Sequence, residues 1–415
     1  MRIAYVCCDR GVPIFGSKGA SIHVRELCRA LDEASHDVLI VSPRSGGRRP
    51  PGFRPKVVEL PLEPEDGAAC GFLADDLAAG PDAAREIRSL VYSASLRFRL
   101  ESLLRDFGAD VVYERYSLLA TAGASAARAL GIPHVLEVNA PLAQEQEAHR
   151  GLAFAHAARE IERSLLRSAD AVVCVSDAVA NWVAARRVER EQIALVPNAV
   201  DPRRFVVDAA ERTALRRRLG IDDAAVIGFL GTLKPWHDVD GLIRATGRLV
   251  RRGLRVRLLL IGDGPERPRL EALARAERLE ELTIFAGTIA HHRVPRYLAA
   301  LDIAAVTYGT PESYFSPLKL FEYLAAARPV VAAASGDIEH CVRHGETGLL
   351  YPPGDDSALA DALATLVADR ERAARLAAAG RAHVRAHHTW AGNAEAVVAL
   401  AESAARQEDR VAACA

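Results

Sequence analysis

Short apolar runs alternate with helix-patterned segments along the whole chain, and the alternation restarts once. Runs at 2–7, 37–42, 57–60, 110–113, 134–138, 171–175 and 193–196 are rich in Val, Ile and Leu, and those at 110–113, 134–138 and 171–175 lead into polar residues. After the turn residues Pro197-Asn198-Ala199-Val200-Asp201, a second series follows at 226–230, 256–261, 282–285, 303–306, 330–334 and 348–351. Apolar runs this short, separated by helices, specify parallel strands covered on both faces. The predicted architecture is α/β: two doubly wound parallel-sheet domains, over 1–200 and 201–386. A chain of 415 residues is long enough to give each domain its own core. Beyond a break near His387-His388-Thr389-Trp390 we expect one more helix, over 387–406, and a frayed tail over 407–415.

In such sheets ligands collect at the carboxyl ends of the strands. In the first half those ends present Gly16 to Ser21, Glu114 to Ser117, Glu137 to Pro141, and Ser176-Asp177. In the second half three loops fall at one edge: Gly231-Thr232-Leu233-Lys234-Pro235-Trp236-His237, then Gly262-Asp263-Gly264-Pro265, then the stretch 310–317. The third leads into a short helix over 317–327 with Lys319 in its first turn. The helix dipole alone would favour an acid at that position, so a cation there suggests an expected anion. Glu322 lies three residues on, along the same face.

Charge and cysteine narrow the function. The formal net charge is −1, with no basic excess for nucleic acid, and the seven cysteines show no paired metal spacing. That usage fits a reduced, cytoplasmic protein. Residues 2–6 read as a strand rather than a leader, and no run approaches the roughly 20 apolar residues that span a bilayer. The segment 84–107 reads as a long helix carrying Arg85, Arg88, Arg97, Arg99 and Arg105. A solvated arginine face is the plain reading, and contact with an anionic membrane surface the sharper one.

Together, the loop and helix at 16–26, the Pro197–Asp201 turn, the 231–237 loop, Gly262-Asp263-Gly264-Pro265, and Phe321-Glu322-Tyr323-Leu324 followed by Pro329-Val330-Val331 make the chain resemble a known family. It is similar to the retaining nucleotide-sugar glycosyltransferases of family 4, over nearly its whole length. The resemblance implies the GT-B fold, two Rossmann-like domains facing across a cleft. It places the acceptor in 1–200 and the donor in 201–386, with 387–406 crossing back. It implies a UDP- or GDP-sugar as co-substrate, a hydroxyl acceptor, retained anomeric configuration, and neither cofactor nor metal. The oligomeric state stays open.

By the same resemblance Glu322 receives the ribose hydroxyls, a task suited to an ionised carboxylate facing a vicinal diol. The backbone at Ser316, Pro317 and Leu318 approaches the distal phosphate, with Lys319 adding charge. Pro317 itself supplies no N–H. Gly231, Thr232, Lys234, His237 and Gly262 line the diphosphate, and Gly16, Ser17, Lys18 and Gly19 form the loop that closes over the phosphates or the sugar. Four positions depart from the family pattern. Tyr314 stands where the first glutamate of the Glu-x7-Glu motif belongs, Thr232 where the family has Arg, and His237 where it has Lys. Lys234 is the expected replacement. Asn139 occupies the position of a histidine that contacts the donor sugar, and Glu137 or Glu114 is the nearest carboxylate for an acceptor proton, unless each is a paired structural acid. Two alternatives stand beside transfer: a nucleotide-sugar-binding protein without activity, and a 2-epimerase or hydrolase of the same shape. A dinucleotide dehydrogenase ranks below them, because the Gly16 region lacks the G-x-G-x-x-G spacing.

Overall fold

The computed structural model describes residues 1–314 and 316–414, and of residues 407–414 the backbone alone. The chain divides into two compact units. The first is Met1–Pro197 together with the chain from Trp390 onward, and the second is Asn198–Thr389.

The first unit holds β1 (Arg2–Cys7), β2 (Asp37–Ser42), β3 (Lys56–Glu59), β4 (Val111–Arg115), β5 (His134–Val138), β6 (Ala171–Cys174) and β7 (Ile193–Leu195). All pair in parallel, in the order β3-β2-β1-β4-β5-β6-β7. The second holds β8 (Ala225–Leu230), β9 (Val256–Ile261), β10 (Thr283–Gly287), β11 (Ile303–Val306), β12 (Val330–Ala333) and β13 (Leu349–Tyr351), also parallel, ordered β10-β9-β8-β11-β12-β13. Each sheet therefore reverses its winding once, between β1 and β4 and between β8 and β11. The predicted α/β class and both strand series are found, with strand ends shifted by a residue or two. Central strands are buried along their length: every residue of β11 and β12 is, as is all of β2 after Asp37. That is why they read as unbroken apolar runs.

Helix Pro81–Phe107 turns Leu96, Leu100 and Leu104 into the core beside Val112 and Ala126. Its arginines are partly engaged within the unit. Arg99 reaches Glu63 and the Pro61 carbonyl, Arg105 pairs with Glu101, and Arg85 with Asp82. A second helix, Pro64–Asp76, has no marked counterpart in the sequence pattern, since only Cys70 along it is buried and no apolar stripe forms. The last helix runs Trp390–Cys414 and packs on the first helix, Gly19–Glu33. It carries on through 407–414, expected as a tail, because no glycine or proline follows Gly392 to stop it. Ala415 lies outside the described residues. No helix among the described residues is long and apolar enough to cross a membrane.

Candidate functional site

In the second unit the three loops picked out by sequence follow β9, β8 and β11, which are neighbours in the sheet. The first two are interlocked. Gly231 N donates to Ile261 O at 2.9 Å, Leu233 N to Asp263 O at 3.0 Å, and Glu266 N to Leu233 O at 3.3 Å. Their approach depends on glycine: a Cβ on Gly262 would stand 1.9 Å from Gly231 O, and one on Gly264 2.3 Å from Leu233 O. The third loop is pinned at both ends. Ser335 Oγ donates to Thr310 O at 2.8 Å and Gly336 N to Pro311 O at 3.0 Å. At the other end Asn198 N donates to Ser316 Oγ at 2.9 Å, and Asn198 Nδ2 to Ser316 O at 2.6 Å. Pro317 then caps the helix Leu318–Ala325, which has no side-chain cap; Leu320 N donates back to Pro317 O at 3.0 Å, and the N–H groups of Leu318 and Lys319 are the ones without an intrahelical partner.

Lys319 is the electrostatic centre of this edge. It is 9% exposed, and its ammonium has no hydrogen-bond partner among the described residues. Nζ lies 4.2 Å from the centre of the Phe229 ring and 5.7 Å from that of Tyr308. Burial pulls its pKa down to about 7, against the opposing pull of Glu322. A buried, unpaired ammonium is costly unless an anion completes it. Gly231 leaves the room: a Cβ there would stand 3.0 Å from Nζ. Composition adds weight that a motif search passes over. Lys18, Lys56, Lys234 and Lys319 are all the lysines in a chain with 53 Lys and Arg residues. Three of the four sit in the glycine-bearing loops at strand ends or the helix that follows one.

The other predicted residues of this unit surround that centre unevenly. His237 Nδ1 donates to Thr232 O at 2.6 Å, among the Phe229, Trp236 and Tyr308 rings. Burial, then the Lys319 charge, pushes its pKa down to about 3, so the ring is neutral at pH 7. Positive charge at this edge therefore comes from lysine and not from imidazolium. Lys234 Nζ lies over the Trp236 ring, 5.6 Å from its centre, and Thr232 is exposed. Glu322 is buried, with Oε1 bonded to His291 Nε2 at 2.7 Å. His291 follows β10 at the same edge, and no sequence motif singles it out. Tyr314 is half-buried, Glu312 is exposed, and Phe315 lies outside the described residues.

In the first unit the 11–19 loop is anchored from the first helix. Arg25 Nη1 donates to Ile14 O at 2.6 Å and to Gly16 O at 2.7 Å, and Lys18 Nζ to Gly11 O at 3.3 Å. Gly19 is the first residue of that helix. Asn139 Oδ1 is buried without a donor among the described residues. The expectation that Glu137 or Glu114 takes an acceptor proton is corrected here, because both are internal and already bonded. Glu137 accepts from Arg115 at 2.8 Å and Tyr113 at 2.9 Å and lies 2.8 Å from His23 Nε2, while Glu114 contacts His134 Nε2 at 2.9 Å and Ala124 N at 3.0 Å. Burial alone would raise the Glu137 carboxyl, but His23, Arg115 and Tyr113 outweigh it and hold it near 2 instead of 4.5. A depressed carboxyl stabilises the fold above its unfolded pKa and stops doing so as pH falls through the folded one. We therefore expect about 3 kcal/mol of first-unit stability to vanish between pH 4.5 and 2. Glu137→Gln should flatten this acid limb, read by circular dichroism against pH.

Comparison with known proteins gives concordant matches. Residues 211–383 match the family described as glycosyl transferases group 1, and residues 17–204 match glycosyltransferase family 4. A D-inositol 3-phosphate glycosyltransferase of Stackebrandtia nassauensis is 30% identical over 408 residues, 91% of this chain and 85% of that one. A GDP-mannose-dependent alpha-(1-6)-phosphatidylinositol monomannoside mannosyltransferase of Mycobacterium tuberculosis is 30% identical over 269 residues, 61% of this chain and 70% of that one. Among solved structures, Anabaena HepE in complex with UDP and glucose superposes with a TM-score of 0.74 at 20% identity, covering 97% of this chain and all of that one. The sucrose-phosphate synthase of Thermosynechococcus elongatus gives 0.74 at 22% identity, covering 97% and 99%.

Proposed function

We propose, because this chain belongs to the family 4 glycosyltransferases, that it moves a sugar from a nucleoside-diphosphate donor to an acceptor hydroxyl with retained configuration. The observation that carries this reading is the unpartnered Lys319 ammonium beside an uncapped helix N-terminus. In this reading the diphosphate completes Lys319 and takes the N–H groups of Leu318 and Lys319 at the helix start, Glu322 receives the ribose hydroxyls, and Gly231 and Gly262 let backbone approach the phosphates. Lys234 adds charge, and His237, neutral and with Nδ1 committed to Thr232 O, offers Nε2 as an acceptor to a donor hydroxyl. The chemical demand is departure of a diphosphate from an oxocarbenium-like carbon. Fixed positive charge and backbone dipoles at the leaving group meet it without a protein nucleophile. The leaving phosphate then takes the acceptor proton, a role that the internal Glu137 and Glu114 do not fill.

Donors named for relatives include GDP-mannose, and HepE is complexed with UDP, so a UDP- or GDP-sugar is the proposed co-substrate. The first unit is the proposed acceptor side, with Asn139 Oδ1 accepting from a sugar hydroxyl. Membrane contact, if the acceptor is lipid-linked, falls to the Pro81–Phe107 helix, where Arg97 stacks on exposed Phe98. Tyr314 favours a second reading, donor binding without transfer, because it replaces a sugar-contacting acid.

A thermal-shift screen against UDP-, GDP- and ADP-sugars tests the donor site. One base is expected to raise the melting temperature, by about 2.7 kcal/mol of stabilisation at a hundredfold excess over Kd. Glu322→Ala should remove most of that shift. If no nucleotide sugar shifts the wild type, the donor site is refuted, and a shift without product across acceptors selects the second reading.

A further inference from the structure

The Glu322 carboxylate is almost enclosed, with its side chain 8% exposed, yet it has one hydrogen-bond partner among the described residues. That partner is His291, whose ring is 15% exposed and whose Nε2 lies 2.7 Å from Oε1. It comes from another part of the sheet: His291 opens the short turn His291–Arg293 after β10, while Glu322 sits in the helix after β11. An ionised carboxylate has no proton to give, so Nε2 must carry the hydrogen and donate it. The bond occupies one oxygen and leaves the other to a ligand.

The bond also settles a conflict within the helix. Lys319 stands one turn before Glu322, and the two feel each other's charge. A glutamate with free side-chain torsions would turn toward that unpartnered ammonium. Such a pair would withdraw the acid from a ribose and the cation from a diphosphate at once. His291 holds the carboxylate from outside the helix and so keeps the two groups available separately.

We infer that His291 is a positioning residue, which holds Glu322 in the orientation that receives the ribose hydroxyls of a nucleoside diphosphate and keeps it from pairing with Lys319. The inference rests on the donor-site reading above and deepens it. It predicts a loss confined to ribose recognition, which a purely structural role would not produce.

The test titrates UDP, GDP and ADP, each beside its 2′-deoxy form, into wild type, His291→Ala and His291→Gln by calorimetry. For the base that binds, wild type should prefer the ribonucleotide by about tenfold, the scale of one charge-assisted hydrogen bond to a hydroxyl. His291→Ala should lose about tenfold in ribonucleotide affinity and bring the ribo-to-deoxy ratio close to one. His291→Gln, whose amide nitrogen can stand where Nε2 does, should restore the ratio to within about threefold of wild type, and it carries the test if the alanine variant does not fold. An unchanged ratio in His291→Ala, or a folded His291→Gln with no preference, overturns the inference while leaving the donor site standing. A wild type that binds none of the three nucleotides overturns the donor site, and this inference with it.

Discussion

Lys319→Met is expected to abolish sugar transfer and at the same time raise the unfolding temperature of the second unit. The two effects share one cause. Lys319 is an ammonium held inside the protein without a partner, its pKa brought by burial from 10.5 to about 7. Between those two values the unfolded chain binds a proton that the folded one releases, so this group makes stability rise with pH from about 7 to 10.5. At and below neutral pH the buried charge costs the fold on the order of a few kcal/mol, and methionine, of similar length and no charge, removes that cost. The same charge is what a departing diphosphate requires. Removing one preorganised electrostatic contact of this kind costs about 10²–10³ in kcat, and we expect at least that here. Differential scanning calorimetry and turnover on the same preparation check both. A variant that is less stable, or that keeps more than a tenth of wild-type kcat, refutes the assignment. Ligand linkage offers a check without mutation. A bound diphosphate should raise the Lys319 pKa, so its affinity should hold steady below pH 7 and fall above it, with proton uptake seen as buffer-dependent heat.

Gly262→Ala is expected to be the most damaging single methyl group in the second unit. Gly262 has φ +139°, a conformation L side chains rarely adopt, and its Cβ would lie 1.9 Å from a backbone oxygen, Gly231 O. A backbone atom cannot rotate aside, so the β8 and β9 turns must separate and give up their mutual hydrogen bonds. Strain and lost bonds together suggest destabilisation on the order of 3 kcal/mol or more. Gly253→Ala is the control, since φ there is +81° but nothing lies within 4 Å of the added carbon. It should cost only about 1 kcal/mol. If the two variants melt alike, the interlock of the turns is not what holds this edge.

The residues show why some of this was legible and some was not. The strands could be read because parallel strands covered on both faces must be apolar throughout, and Val330-Val331-Ala332 or Leu39-Ile40-Val41 has no other use. Lys319 could be read because its place in a first helical turn runs against the dipole. Glu322 came only with the motif around it, since nothing local marks a buried glutamate. What escaped was every relation between distant residues. Asn198 holds Ser316 from 118 positions away, His291 holds Glu322 across 31, and His23 meets Glu137 across 114. Glu137 shows the consequence: ending a strand beside a predicted site, it resembled a base until the network around it became visible. One signal is carried by composition alone and by no motif, the scarcity of lysine.

That scarcity also describes the protein as a chemical reagent. An ordinary lysine side chain keeps only about one amine in a few thousand unprotonated at neutral pH, whereas Lys319, with its pKa near 7, keeps about half. In a chain whose other basic side chains are nearly all arginine, the amine richest in free base is the one at the centre of the proposed donor edge. Acylating or carbamylating reagents small enough to enter would meet a nucleophile there, and any ligand seated over it would act as its protecting group.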